Sequence, residues 1–136
     1  MAERKNRQEN ELEGYEQVIQ LFGEEHVRQG IERAKRMGLE FGELFLNFVY
    51  KGLYARKVLD IKVRQLCAIS ALTAAGLPSH LRNHILGAIR VGVTKDEVKE
   101  AIFQATTYGG TARMSDAFMV YEEAIKEVES GTVPRV

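Results

Sequence analysis

The 136-residue sequence predicts an all-α fold, a bundle of six or seven helices joined by short loops. Three observations carry that expectation. Apolar residues recur at helical spacing along nearly the whole chain. Glycines fall about a helix length apart, at Gly38, Gly76, Gly92 and Gly109–Gly110, and the only prolines are Pro78 and Pro134. No alternating apolar and polar run is long enough to argue for a strand.

The first helix is expected over 8–22, with Leu12, Tyr15, Val18, Ile19 and Phe22 on one face. The second, over 24–37, opens on Glu24 and Glu25 and closes on Arg36 before Gly38, a charge order that suits the helix dipole at both ends. Residues 40–54, "EFGELFLNFVYKGLY", hold most of the aromatics and read as one buried or interfacial helix. Asp60 is placed to N-cap "IKVRQLCAISALTAA", which ends at Gly76.

Pro78 suits the first turn of the next helix, 78–91, because its missing N–H has no intrahelical partner there anyway. That helix buries Leu81, Ile85, Ala88 and Ile89. Thr94 stands three before Glu97, a capping box for a helix running to about 107. A last helix follows Gly109–Gly110, and Arg113 can pair with Asp116 at i+3 within it. The length suits one domain over 1–136, with residues 1–10 and 130–136 loose.

Composition narrows the function classes. Lys plus Arg and Asp plus Glu both number 19, so the net charge is zero and nothing points to nucleic acid. The N-terminus lacks the apolar core of a signal peptide, and the most apolar stretch, "LCAISALTAAGL", is too short to span a bilayer. A cytoplasmic protein with no membrane partner is the expectation. Clustered Phe41, Phe45, Phe48, Val49 and Tyr50 offer more apolar face than one small bundle hides, which predicts a homo-oligomer.

The histidines, cysteine and arginines carry what chemistry there is. His80 and His84 stand four apart on the 78–91 helix and can point toward one pocket edge. Such a pair can grip zinc, but a site needs a third ligand, and Leu81 occupies the place of Glu in His-Glu-x-x-His. A hydrogen-bonded or interfacial role is favoured over a metal. Cys67 is the only cysteine, so no intrachain disulfide forms; amid Val63, Ala71 and Ala74 it reads as a buried small hydrophobe. Arg56, before a capped helix, can clamp a carboxylate at two points. Arg64 lies beside an apolar face, and Tyr108, at a helix end, can donate a proton or simply pack.

The stretch 50–110 carries Gly52, Arg56, Leu59-Asp60, Arg64, an alanine-rich helix, His84, Gly92, Thr94, Glu97, Gln104, Tyr108 and Gly110 in that order. It resembles the carboxymuconolactone decarboxylase family, which includes the alkylhydroperoxidase-like proteins. The resemblance implies an all-α fold and assembly as trimers or hexamers. The family's peroxidase branch carries Cys-x-x-Cys-x-x-x-His and an earlier Glu. Here Leu77 and His80 stand at the cysteine positions and Gln65 at the Glu position, which argues against thiol peroxidase chemistry.

The decarboxylase branch is the better match, with departures at Lys57-Val58 (usually Pro-Gly), His80 (usually Glu) and Ala112 (usually Pro). The resemblance implies a cofactor-free carboxy-lyase that removes CO2 from a small carboxylated lactone or related acid. His84 would deliver or relay the proton, Arg56 and His80 would orient carboxylates, and Arg64 and Tyr108 would support substrate binding. No cofactor or metal is expected. The alternative, motivated by the same departures, is a non-catalytic oligomer that binds a small acidic metabolite or a partner.

Overall fold

A computed structural model describes residues 14–132, with the Leu39 side chain left out. Every regular element among the described residues is helical, and the chain divides into two compact units with the boundary between Leu59 and Asp60. No helix among the described residues is long and apolar enough to cross a membrane.

The first unit begins with helix α1, described over 14–22; the expected start at 8 and Leu12 lie outside the described residues. Helix α2, Glu24–Arg36, has acidic residues in its first turn and basic residues in its last, as the sequence predicts. Hydrogen bonds from Arg28 and Gln29 hold the Glu25 carboxyl down at about 2.

The expected single helix over 40–54 is corrected. Helix α3, Leu39–Leu46, gives way to a π-helical segment, Asn47–Leu53. The wider winding is visible in the bond from Tyr54 N to Val49 O, 3.2 Å, which reaches back five residues rather than four. Gly52 makes it possible, because a Cβ there would sit 2.8 Å from the Asn47 carbonyl oxygen.

Tyr50, expected on an exposed apolar face, is instead 5% exposed. It packs edge-on against Tyr15 and Phe45, each with ring centroids 5.8 Å away, and its hydroxyl reaches the backbone of Gly30, where a side chain would collide. Burial pushes its phenol above the ordinary value. Phe41, Leu44, Phe45 and Phe48 remain exposed.

The second unit holds α4 (Ile61–Ala75), α5 (Pro78–Arg90), α6 (Lys95–Gly109) and α7 (Thr111–Glu129). Ile69, Leu81, Ile85, Val98 and Ile102 are its buried centre. Asp60 caps α4 by accepting from the N–H groups of Lys62 at 2.8 Å and Val63 at 3.0 Å. Gly76 ends α4 in the left-handed region at φ 70°, a conformation that a Cβ would penalise. The Thr94–Glu97 capping box opens α6 with both reciprocal bonds formed.

Ties between helices reinforce the core. The Ser70 hydroxyl of α4 donates to the Ala101 carbonyl of α6 at 2.7 Å. A fork of Arg82 on α5 grips both carboxylate oxygens of Glu127 on α7, with Nε to Oε1 at 2.9 Å. At Gly109, α6 passes so close to α4 that a Cβ would lie 2.7 Å from the Ala74 Cα.

Two further expectations are corrected here. Cys67 is exposed rather than buried, because the core-facing stripe of α4 is Gln65, Ile69 and Thr73, leaving Val63, Cys67 and Ala71 on the outer face. Arg113 does not pair with Asp116. Its guanidinium donates to the Ala74 carbonyl, one of the orphan acceptors at the α4 C-terminus.

Candidate active site

Two helix starts set the geometry around His84. The Asp60 cap places Arg64 and Gln65 in the opening turns of α4. Pro78 at the head of α5 does the same for the histidines: once Leu81 and Ile85 enter the core, His80 and His84 must lie along the neighbouring stripe. The stripe tilts out of the core toward its N-terminal end. His80 is exposed and makes no hydrogen bond among the described residues, whereas His84 is half-buried.

His84 meets Gln65. Its Nδ1 lies 2.8 Å from Gln65 Oε1, which joins α5 to α4. An amide oxygen only accepts, so Nδ1 is the donor in this contact, and Nε2 is the ring nitrogen whose protonation distinguishes imidazole from imidazolium. Gln65 is fully buried, and its Nε2 finds no hydrogen-bond partner among the described residues. A buried amide left half-satisfied costs about 1–3 kcal/mol, which the surrounding packing must offset.

Arg64, next to Gln65, is half-buried. Tyr108 stands 81% exposed in the last turn of α6. Arg56 belongs to the other unit, in the exposed turn that follows the π-helical segment, where its N–H donates to the Leu53 carbonyl at 3.3 Å. Elsewhere on α5, burial and then the neighbouring Arg82 charge pull the Arg90 guanidinium below its ordinary value. No group of three or more His, Cys, Asp or Glu among the described residues is arranged to hold a metal ion.

Gln65 is the residue that sequence reasoning underrated, noting it only as the absence of a glutamate. A signal was present. Gln65 and Thr73 flank Ile69 at four-residue spacing on the buried stripe of α4, and a polar side chain in a core stripe calls for a partner.

An all-helical chain with a histidine oriented from a neighbouring helix, and no cysteine pair, defines the class. The family model of the carboxymuconolactone decarboxylase family matches residues 40–123, and the chain belongs to that family. It is 29% identical over 123 residues to a 4-carboxymuconolactone decarboxylase of Acinetobacter baylyi, covering 90% of this chain and 92% of that protein. It is 28% identical over 124 residues to a nitrosuccinic acid decarboxylase of Metarhizium robertsii, covering 90% and 87% respectively.

Proposed function

We propose that the chain is a cofactor-free decarboxylase of a small organic acid whose carboxyl group lies next to an electron-accepting function. Two observations support this: the two similar proteins are named decarboxylases, and His84 is held in a defined tautomer by Gln65. The pairing with Gln65 is the observation that carries the mechanism. The acids named for the two relatives differ in skeleton, one a lactone and the other a nitro acid. They share a carboxylate near a group that can take up an electron pair.

In such a reaction the C–C bond to the carboxylate breaks, CO2 leaves, and the bonding pair passes into the lactone or nitro group. The resulting carbanion equivalent then takes a proton on carbon. The substrate is its own electron sink, so the protein has three tasks: to hold an anion, to shield the leaving carboxylate from water, and to supply the proton. His84 Nε2 is the proposed donor. An imidazole suits the task because its unperturbed pKa of about 6.5 lets it reload near neutral pH.

Arg64 and His80 are proposed to steady the acid's charge, with Tyr108 as a further contact. The carboxylate-holding role read for Arg56 is part of the proposal and is tested by its own variant. Assembly as a trimer or hexamer belongs to it too, supported by the exposed Phe41, Leu44 and Phe48.

The test is CO2 release from 4-carboxymuconolactone and from nitrosuccinate by the purified protein, beside His84→Gln. Turnover of either acid that depends on His84 supports the reading. Saturable binding of both acids without product overturns it in favour of a non-catalytic binding protein.

A further inference from the structure

The bond between His84 and Gln65 sets the chemical state of the ring as well as its place. Nδ1 donates to Gln65 Oε1 at 2.8 Å, so the neutral imidazole carries its lone pair at Nε2. In that form His84 is a base. It becomes the donor of the proposed decarboxylation only after Nε2 has taken up a proton. Its Nδ1 partner is a neutral amide, not a carboxylate that would favour the imidazolium.

The ring is also held in one orientation. Leu81 and Ile85 seat α5 in the core, and Gln65 is fully buried on α4 in the stripe that includes Ile69. The half-buried imidazole is therefore tied to a partner that solvent does not reach, and the Nε2 lone pair meets a bound carbon from a single side.

A step that delivers a proton to carbon is, run backwards, a step that removes one from carbon. Removal needs no carboxyl group on that carbon, only a neighbouring group that accepts the electron pair.

We propose that the chain has a second activity at His84: stereospecific exchange of a carbon-bound hydrogen with solvent. Its substrates are carboxylic acids that carry an electron-accepting group but no carboxyl group on the reacting carbon. This rests on the reading of His84 as the donor to carbon and extends it to compounds that lose no CO2. With a nitro acid, Nε2 takes the proton, and the C–H bonding pair passes into the nitro group as a nitronate. The imidazolium exchanges its Nε2 proton with water and returns a proton to the same carbon, restoring the acid. Nothing is oxidised or reduced, and no co-reactant is consumed.

The probe is 3-nitropropanoate, which keeps one carboxylate for Arg64 and His80 and bears two hydrogens on the carbon next to the nitro group. It is incubated with the full chain in D2O, and proton NMR follows that carbon beside a protein-free sample. Exchange at least about tenfold faster than in buffer is expected, a small share of what a positioned acid–base group supplies. It should halt at one deuterium per molecule, because a base in one fixed orientation takes only one of the two hydrogens. His84→Gln should return the rate to that of buffer. Exchange no faster than in buffer, exchange that runs on to two deuteriums at one rate, or exchange unchanged in His84→Gln would each overturn the proposal.

CO2 release measured in parallel separates this activity from the decarboxylase reading. His84-dependent CO2 release without exchange overturns the exchange activity alone. Stereospecific exchange without CO2 release from either test acid supports it and removes the decarboxylase reading. The halt at one deuterium is read on the wild-type protein, so the test stands even if His84→Gln folds poorly.

Discussion

His84 and Gln65 are joined across two helices by a hydrogen bond of 2.8 Å, from a half-buried imidazole to a fully buried amide. The partner is neutral. A carboxylate in its place would favour the imidazolium, while an amide fixes the ring and the tautomer without adding charge.

If His84 supplies the proton, His84→Gln should lower kcat by about 10²–10⁴ with a smaller change in KM. Arg56→Gln should act the other way round, raising KM more than it lowers kcat. Steady-state kinetics on a turned-over acid checks both, and a His84→Gln enzyme with wild-type kcat would remove His84 from the chemistry.

Gln65→Glu places a negative charge against the imidazole and should raise the His84 pKa by about 1–3 units, by the attraction of opposite charges at hydrogen-bond distance. Activity that needs the protonated ring falls as pH rises through that pKa, so the fall should move to higher pH in the variant. The same shift stabilises the fold below the unfolded value of about 6.5, and that gain disappears as pH climbs through the raised folded value. Imidazole NMR titration and a pH–rate profile read the two effects independently.

The capping box makes a stability prediction. Hydrogen bonds from the Thr94 N–H and hydroxyl hold the Glu97 carboxyl below its ordinary 4.5. A lowered carboxylate pKa stabilises the fold above the unfolded value, and the gain is lost as pH falls through the folded one. Glu97→Gln should therefore melt lower than wild type at pH 6, with the gap closing toward pH 3. Thr94→Ala should cost about 0.5–2 kcal/mol, measured by urea unfolding.

Cys67→Ser should leave decarboxylation unchanged, since no second cysteine exists to resolve a thiol intermediate. Loss of turnover in that variant would return thiol chemistry to consideration.

Light scattering at micromolar concentration should show a trimer or a hexamer. Phe41→Asp with Phe48→Asp should shift the protein to smaller species, because those rings are 66% and 71% exposed on the described chain. A wild-type monomer would contradict the assembly.

The helices were legible because their signals are local. Asp60, Gly76, Pro78, Thr94 with Glu97, and Gly110 each mark a helix end by a requirement of one or two residues. The π-helical segment was not legible, because its five-residue winding leaves no periodic trace in seven residues of mixed apolar character. Cys67 was misplaced for a related reason: a stripe of small residues fits a buried or an open face equally well, and only its neighbours decide which.

By itself the sequence determined an all-helical chain, its main helix ends and the absence of a cysteine pair, since these follow from residue identity and spacing, while the candidacy of His84 came from the resemblance to a family. Tertiary structure alone decided that His84 meets Gln65, that Arg113 closes α4 rather than pairing with Asp116, and that Thr73 is buried. Each of those joins residues 19 or more apart in the chain or depends on which face of a helix is covered. Such relationships arise when helices pack, and no local pattern encodes them.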